Sequence, residues 1–416
     1  MNEAFLSASK RILILTADAG FGHRAAAEAV AQALRERHGD ACAVDIINPL
    51  DDRHAPALLR KAQGDYDRVL RTWPDLYRVG YQASDSPLPV GIAEQALIVM
   101  LYTALRDTLR AYRPDVIVTT YPLYQAPLAA IFALDRHHTP VLTVVTDLVT
   151  VHALWFNDDV ERCLVPTSDV LAKALESGLA PDRVEITGLP VNPTLARPAD
   201  RVALREQLGW SQDRCVALLA GSKRVTRLEP VAQAFNHSGL PLELALVAGG
   251  DEALRQRWAD VEWHLPAHVY GYVDNMASLM LAADLIVCKA GGLIISEALA
   301  AGLPPLLVEA IPGQETGNAD YVVRGGAGVL VDNALDALAT AFHWLDANGA
   351  ELARRGAQAR RLGNPQAAFR VAELAWQAAL RGPLRRKHRL VAHSPLLRNL
   401  RNSFGLGLDG EGERLG

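Results

Sequence analysis

"LIVCKAGGLIISEALAAGLPPLLVEAIPGQETGNADYVVRGGAGVLV", residues 285–331, alternates short apolar runs with helix-like segments. The first run, 285–288, is uninterrupted Leu, Ile, Val and Cys, the pattern of a strand buried on both faces. Ala290-Gly291-Gly292 then turns the chain into "LIISEALAAG", whose apolar spacing predicts a helix beginning near Leu293. Further buried runs follow at 305–308 and 328–331. Strands separated by helices in this way build a parallel sheet through right-handed crossovers.

The same alternation extends to both ends of the chain. Earlier strand-like runs are 12–16, 43–47, 116–119, 141–146, 163–165 and 184–187, and after a break they resume at 215–220, 242–247 and 269–270. The break, "GLPVNPTLARPA" at 188–199, holds three prolines and reads as a linker. The expected fold is α/β, two Rossmann-like doubly wound domains facing across a cleft. Residues 1–190 form the first domain and 191–364 the second. A helix at 365–382 packs back across the pair, and 383–416 is a basic, flexible tail. An insertion at 51–111 breaks the alternation, with Trp73, Tyr77 and Tyr81 ahead of an amphipathic helix. It reads either as a binding loop or as a surface excursion.

Composition excludes several classes. The chain has 416 residues, a net charge of −5 and half of its residues hydrophobic, as in ordinary globular proteins. Cys42, Cys163, Cys215 and Cys288 are too scattered for a metal site or a disulfide framework, so no metal is expected. No apolar run is long enough to span a bilayer, and the one at 12–16 is too short for a signal-peptide core. The expected location is therefore cytoplasmic. The stretch 381–401 holds seven Lys or Arg and no acid, which leaves the rest of the chain at about −12. A basic segment on an acidic body suits an anionic membrane surface. No nucleic-acid module accompanies it, so no nucleic-acid partner is expected.

The chemistry-bearing residues fall in two groups. In the second half, Gly291 and Gly292 let backbone approach a diphosphate at the free amides of a helix start. Glu297, one turn on, suits the two hydroxyls of a ribose. Gln314, Glu315 and Asn318 are groups that hydrogen-bond sugar hydroxyls. In the first half, "RILILTADAGFGHRAAAEAV" (11–30) is a strand, a glycine loop and a helix. Gly20-Phe21-Gly22-His23-Arg24-Ala25 matches the dinucleotide fingerprint G-x-G-x-x-A, with Asp45 as the acid expected beyond it. Alternatively, Gly20 and Gly22 keep the loop thin so that His23 reaches a reacting centre as a general base. The first alternative leaves the second-half cluster unused.

These stretches, with "VVTDLVTVHALWF", "ITGLPVNP" and "GYVDNM", resemble a family of glycosyltransferases. It includes monogalactosyldiacylglycerol synthases, bacterial diacylglycerol glucosyltransferases and the GlcNAc transferase that completes lipid II. The resemblance runs from about residue 11 to 378 and implies the two-domain GT-B fold. It further implies an inverting transfer of galactose or glucose from a UDP-hexose to a membrane lipid, diacylglycerol, with the enzyme peripheral on the cytoplasmic face of the cell membrane. No cofactor is implied, since the UDP-sugar is a substrate.

By the same resemblance, Tyr272 stacks on uracil and Val273 reads its edge. Lys289, Gly291, Gly292 and Leu293 hold phosphate, Glu297 the ribose, and Gln314, Glu315 and Asn318 the hexose. Gly221 and Ser222 occupy the first loop of the second domain, where the family carries consecutive glycines and this chain has one. Gly20, Gly22 and Tyr121 lie on the acceptor side, with Tyr121-Pro122 where His-Pro is expected. His23 is the base, and Asp147 either orients it or binds the acceptor. The alternatives are transfer of GlcNAc or another sugar to a polyprenyl or different lipid, a UDP-GlcNAc 2-epimerase-like enzyme, and a nucleotide-sugar sensor.

Overall fold

The computed structural model describes residues 9–18, 21–53, 55, 87–134, 137–223, 225–313 and 315–385. Gly20, Gln314, the aromatic insertion at 73–81 and the basic segment beyond 385 lie outside these residues.

Two six-stranded parallel sheets carry the fold. In the first half the strands are β1 (Lys10–Leu15), β2 (Cys42–Ile47), β3 (Val116–Thr119), β5 (Val141–Val144), β6 (Arg162–Val165) and β7 (Val184–Ile186), with a short β4 (His137–His138) outside the sheet. Their order across the sheet is β2-β1-β3-β5-β6-β7. The second half contributes β8 (Cys215–Ala220), β9 (Leu242–Val247), β10 (Ala267–Tyr270), β11 (Leu285–Lys289), β12 (Pro305–Glu309) and β13 (Val329–Leu330). Their order, β10-β9-β8-β11-β12-β13, is the doubly wound dinucleotide-fold order.

Period-two alternation splits each strand between two cores. Ile12 and Ile14 face one side of the first sheet with Val116 and Val118, while Leu13 and Leu15 face the other with Ile117. In the second sheet Val216 and Leu218 oppose Ala217 and Leu219 in the same way. Both faces are dry, which is why the strands read as unbroken apolar runs.

In a parallel sheet every strand ends at the same edge, and ligands sit there at the point where strand order reverses. That point lies between β1 and β3 in the first sheet and between β8 and β11 in the second. The loop after β1 leads to His23, and the loop after β11 holds Gly291.

The halves are joined twice. The segment after β7 crosses first, and at Gly188 φ is +81°, with a Cβ there only 2.8 Å from Asn364 Cβ, so glycine is needed for conformation and for space. Asn364, on the returning chain, donates from Nδ2 to the Thr187 carbonyl at 2.8 Å. The last helix, Ala367–Arg381, then packs on the first sheet, with Ala368, Val371, Ala372 and Ala375 against Ile12, Ile14 and Val30. Trp376 stacks on His38 at 4.1 Å between ring centroids. Beyond it Leu384–Arg385 pairs antiparallel with His137–His138, so the start of the basic tail is a strand rather than free chain.

Candidate functional site

A cleft of about 500 Å³ lies between the carboxyl edges of the two sheets. The first half lines it with Gly22, His23, Thr146, Asp147 and Leu148. The second half contributes Gly221, Ser222, Tyr272, Lys289, Gly291, Gly292, Leu293, Glu297, Glu315 and Asn318 among others.

On the first side, His23 sits in the opening turn of the helix Phe21–His38, delivered to the sheet edge by β1. Thr120 Oγ1 donates to its carbonyl at 3.0 Å. The ring Nδ1 lies 2.6 Å from Thr146 Oγ1, and Tyr121 meets the ring edge-on at 5.0 Å. Burial pushes the imidazole down to about 4, against a smaller upward pull from the backbone hydrogen bond with Thr120, so it is neutral at neutral pH. Asp147 also lines the cleft but makes no bond to His23. Its Oδ2 accepts from Trp155 Nε1 at 2.7 Å. Burial raises its carboxyl to about 6, opposed by that bond.

On the other side, Gly291 caps the helix Gly292–Ala300 without a side chain, which leaves the first amides open to an anion. Glu297 stands on that helix, and burial pushes its carboxyl up to about 7. Lys289, at the end of β11, is paired with Glu315 Oε1. The other oxygen of Glu315 accepts from the Ile311 amide at 3.0 Å. The two residues therefore hold each other at the cleft wall. Asn318 donates to the Ala290 carbonyl at 3.1 Å, while its buried Oδ1 has no partner among the described residues and is an acceptor suited to a donor such as a hydroxyl. Tyr272 projects from the rim, 75% exposed. Val273 packs on the core of its own half and does not line the cleft. Tyr121 is not part of the lining either, and it meets the site at the His23 ring.

Several lining residues carried no sequence signal. Gly249 and Gly250, after β9, lie beside Gly221, and a Cβ on Gly249 would stand 2.9 Å from the Gly221 carbonyl. They supply the thin floor that a single glycine at 221 does not. Thr146 and Leu148 were also silent. Leu148, from the first half, is buried in the core of the second and would touch a Cβ on Gly292 at 3.4 Å. Asp45 lies within β2 opposite Leu13, short of the strand end and away from the cleft, so the dinucleotide reading loses its acid.

Burial raises the Cys288 thiol beneath the floor to about 12, which makes it a poor nucleophile. Among the described residues, no group of three or more His, Cys, Asp or Glu side chains is placed to hold a metal ion.

Comparison with known proteins gives the family and the fold. The profile of the monogalactosyldiacylglycerol (MGDG) synthase family matches residues 23–191. That of the glycosyltransferase family 28 C-terminal domain matches 225–371. Monogalactosyldiacylglycerol synthase 2, chloroplastic, of Arabidopsis thaliana is 32% identical over 392 residues, covering 90% of this chain and 82% of its own. The spinach (Spinacia oleracea) enzyme is 31% identical over 373 residues, covering 87% and 71%. Among solved structures, Acinetobacter baumannii MurG superposes with a TM-score of 0.55 at 19% identity, covering 88% of this chain and 99% of its own. Anabaena Alr3699/HepE in complex with UDP-glucose gives 0.51 at 15% identity, covering 88% and 99%. These structural likenesses show the fold.

Proposed function

The chain belongs to the monogalactosyldiacylglycerol synthase family, and from that membership we propose that galactose is the sugar it moves from UDP to diacylglycerol. It is a UDP-sugar-dependent glycosyltransferase acting on diacylglycerol. The observation that carries the detailed reading is a single cleft with a neutral imidazole on one wall and an open helix start on the other.

The acceptor hydroxyl gives its proton to His23 Nε2 as its oxygen bonds to the anomeric carbon. The bond from that carbon to the diphosphate oxygen breaks, and UDP leaves with the electron pair. One displacement inverts the carbon and needs one base. The charge gathering on UDP is met by the helix start at Gly291, Gly292 and Leu293, and by Lys289 once phosphate draws it from Glu315. Glu297 takes the ribose and Tyr272 stacks on uracil. Asn318, Gln314 and Glu315, once released from Lys289, read the hexose. Gly221 and Ser222 border the diphosphate, while Gly20, Gly22 and Tyr121 shape the acceptor side. Asp147 helps to hold the acceptor beside its hydroxyl. Residues 1–190 thus serve the acceptor and 191–364 the donor.

A diacylglycerol acceptor requires contact with a bilayer. Among the described residues no helix is long and apolar enough to cross one. We assign attachment to the cationic stretch 381–401, whose charges each contribute about 1 kcal/mol at an anionic surface. The enzyme is then peripheral, on the cytoplasmic face.

The test is incubation with UDP-galactose, UDP-glucose or UDP-GlcNAc, with and without diacylglycerol vesicles, following UDP release and lipid-linked sugar. Diacylglycerol-dependent release fastest with UDP-galactose is expected. Equal or faster turnover with another donor removes the sugar assignment, and turnover without lipid removes the acceptor.

A further inference from the structure

Among the described residues His23 has one side-chain hydrogen-bond partner, and it is a hydroxyl rather than a carboxylate. We infer that Thr146 is a positioning residue that keeps the proton of His23 on Nδ1, so that Nε2 stays bare toward the acceptor. The inference rests on the reading of His23 as the base.

The geometry on both sides of the pair is fixed. Thr146 is only 6% exposed and lies two residues beyond the end of β5 at Val144. Its neighbour Val145 donates to the Leu164 carbonyl at 2.9 Å, and Asp147 is held by Trp155. The His23 backbone is tied through Thr120, whose hydroxyl also lies 3.0 Å from Thr16 Oγ1. Tyr121 and Trp155 flank the ring at 5.0 and 6.0 Å, so it has little room to turn over. No side chain among the described residues hydrogen-bonds Nε2. Which imidazole nitrogen carries the proton is set by the bond the other makes. With Oγ1 accepting from Nδ1–H, Nε2 keeps its lone pair. A carboxylate at this position would do the same, but it would also hold the ring as imidazolium. Asp147, which lines the same cleft, is turned to Trp155 instead, so the hydroxyl orients the ring without charging it.

Full-length protein with ¹⁵N-labelled histidine tests this, with His23→Ala identifying the resonance. Wild type is expected to show a protonated Nδ1 and an unprotonated Nε2, and Thr146→Val a shift toward the opposite tautomer. In Thr146→Val, kcat should fall about tenfold, the effect of one hydrogen bond, with donor KM within about twofold of wild type. Thr146→Ser should restore both kcat and tautomer. A proton on Nε2 in wild type, or a valine enzyme with unchanged kcat and spectrum, overturns the inference and leaves His23 as the base. Should the valine variant not fold, the wild-type spectrum and the serine enzyme still decide. A His23→Ala enzyme that keeps turnover overturns the base itself and the inference with it. That failure is recognisable because Nδ1–H would still be seen in wild type.

Discussion

Replacing Glu297 by Gln is expected to stabilise the empty protein while loosening its hold on UDP. The carboxyl lines the cleft with no protein hydrogen bond among the described residues, and burial raises it from its ordinary 4.5 to about 7. At 1.36 kcal/mol per tenfold change in acidity, that corresponds to about 3 kcal/mol. Solvent in the open cleft screens part of it, leaving about 1–3 kcal/mol. The sign follows from the raised value. Below pH 4.5 the group is protonated in both folded and unfolded chains and costs nothing. The penalty grows as pH rises toward 7 and is complete above it. The amide escapes it, so at pH 8 the variant should melt roughly 2–10 °C higher, and at pH 4.5 no higher. Losing charge-assisted bonds to ribose should weaken UDP about 10- to 100-fold. Wild-type affinity should rise between about pH 6 and 8, while that of the variant stays flat. Scanning calorimetry at both pH values, with UDP titrations, reads both effects. A variant no more stable at pH 8, or a wild-type affinity indifferent to pH, refutes the reasoning.

His23→Ala should cut turnover by about 10²- to 10⁴-fold while UDP titrations give an unchanged Kd; full turnover would exclude the base role. Because burial raises Asp147 to about 6, the carboxylate is lost as pH falls through 6. Turnover should fall on that limb, and a limb that persists in Asp147→Asn would assign it elsewhere. At Gly363 a Cβ would stand 2.2 Å from the Leu299 carbonyl. Backbone cannot swing aside as a side chain can, so Gly363→Ala should cost about 1–3 kcal/mol or more in denaturant melts. An unshifted midpoint would mean that the donor-side helix yields there freely.

Much of the architecture was legible because both sheets are dry on both faces. The runs at 12–16 and 215–220 could be little other than buried parallel strands, and Ala290-Gly291-Gly292 between strand and helix pointed to an anion site. Strand ends were less visible. The apolar run at 141–146 leaves the sheet at Val144, and its last residue becomes part of the cleft wall. Nothing in a threonine following valines distinguishes a partner for His23 from ordinary strand filling. The Lys289–Glu315 pair was hidden for another reason. The residues close only after a helix and a strand have carried the chain around, so single positions suggested phosphate and sugar contacts and gave no sign of the ion pair. Leu148 reads as one more apolar residue, and only tertiary packing shows it buried in the opposite half.

The return of the last helix onto the first sheet sets an order of assembly. The central strands and following helices of the second half are contiguous in sequence and can close around their own core as soon as they are made. The sheet built by the earliest residues cannot, because Ala368, Val371, Ala372 and Ala375 supply part of the face covering Ile12 and Ile14. During translation that face waits, uncovered, until the helix Ala367–Arg381 has left the ribosome. A fragment cut at the linker would therefore lack a wall, and the half made first is the half that matures last.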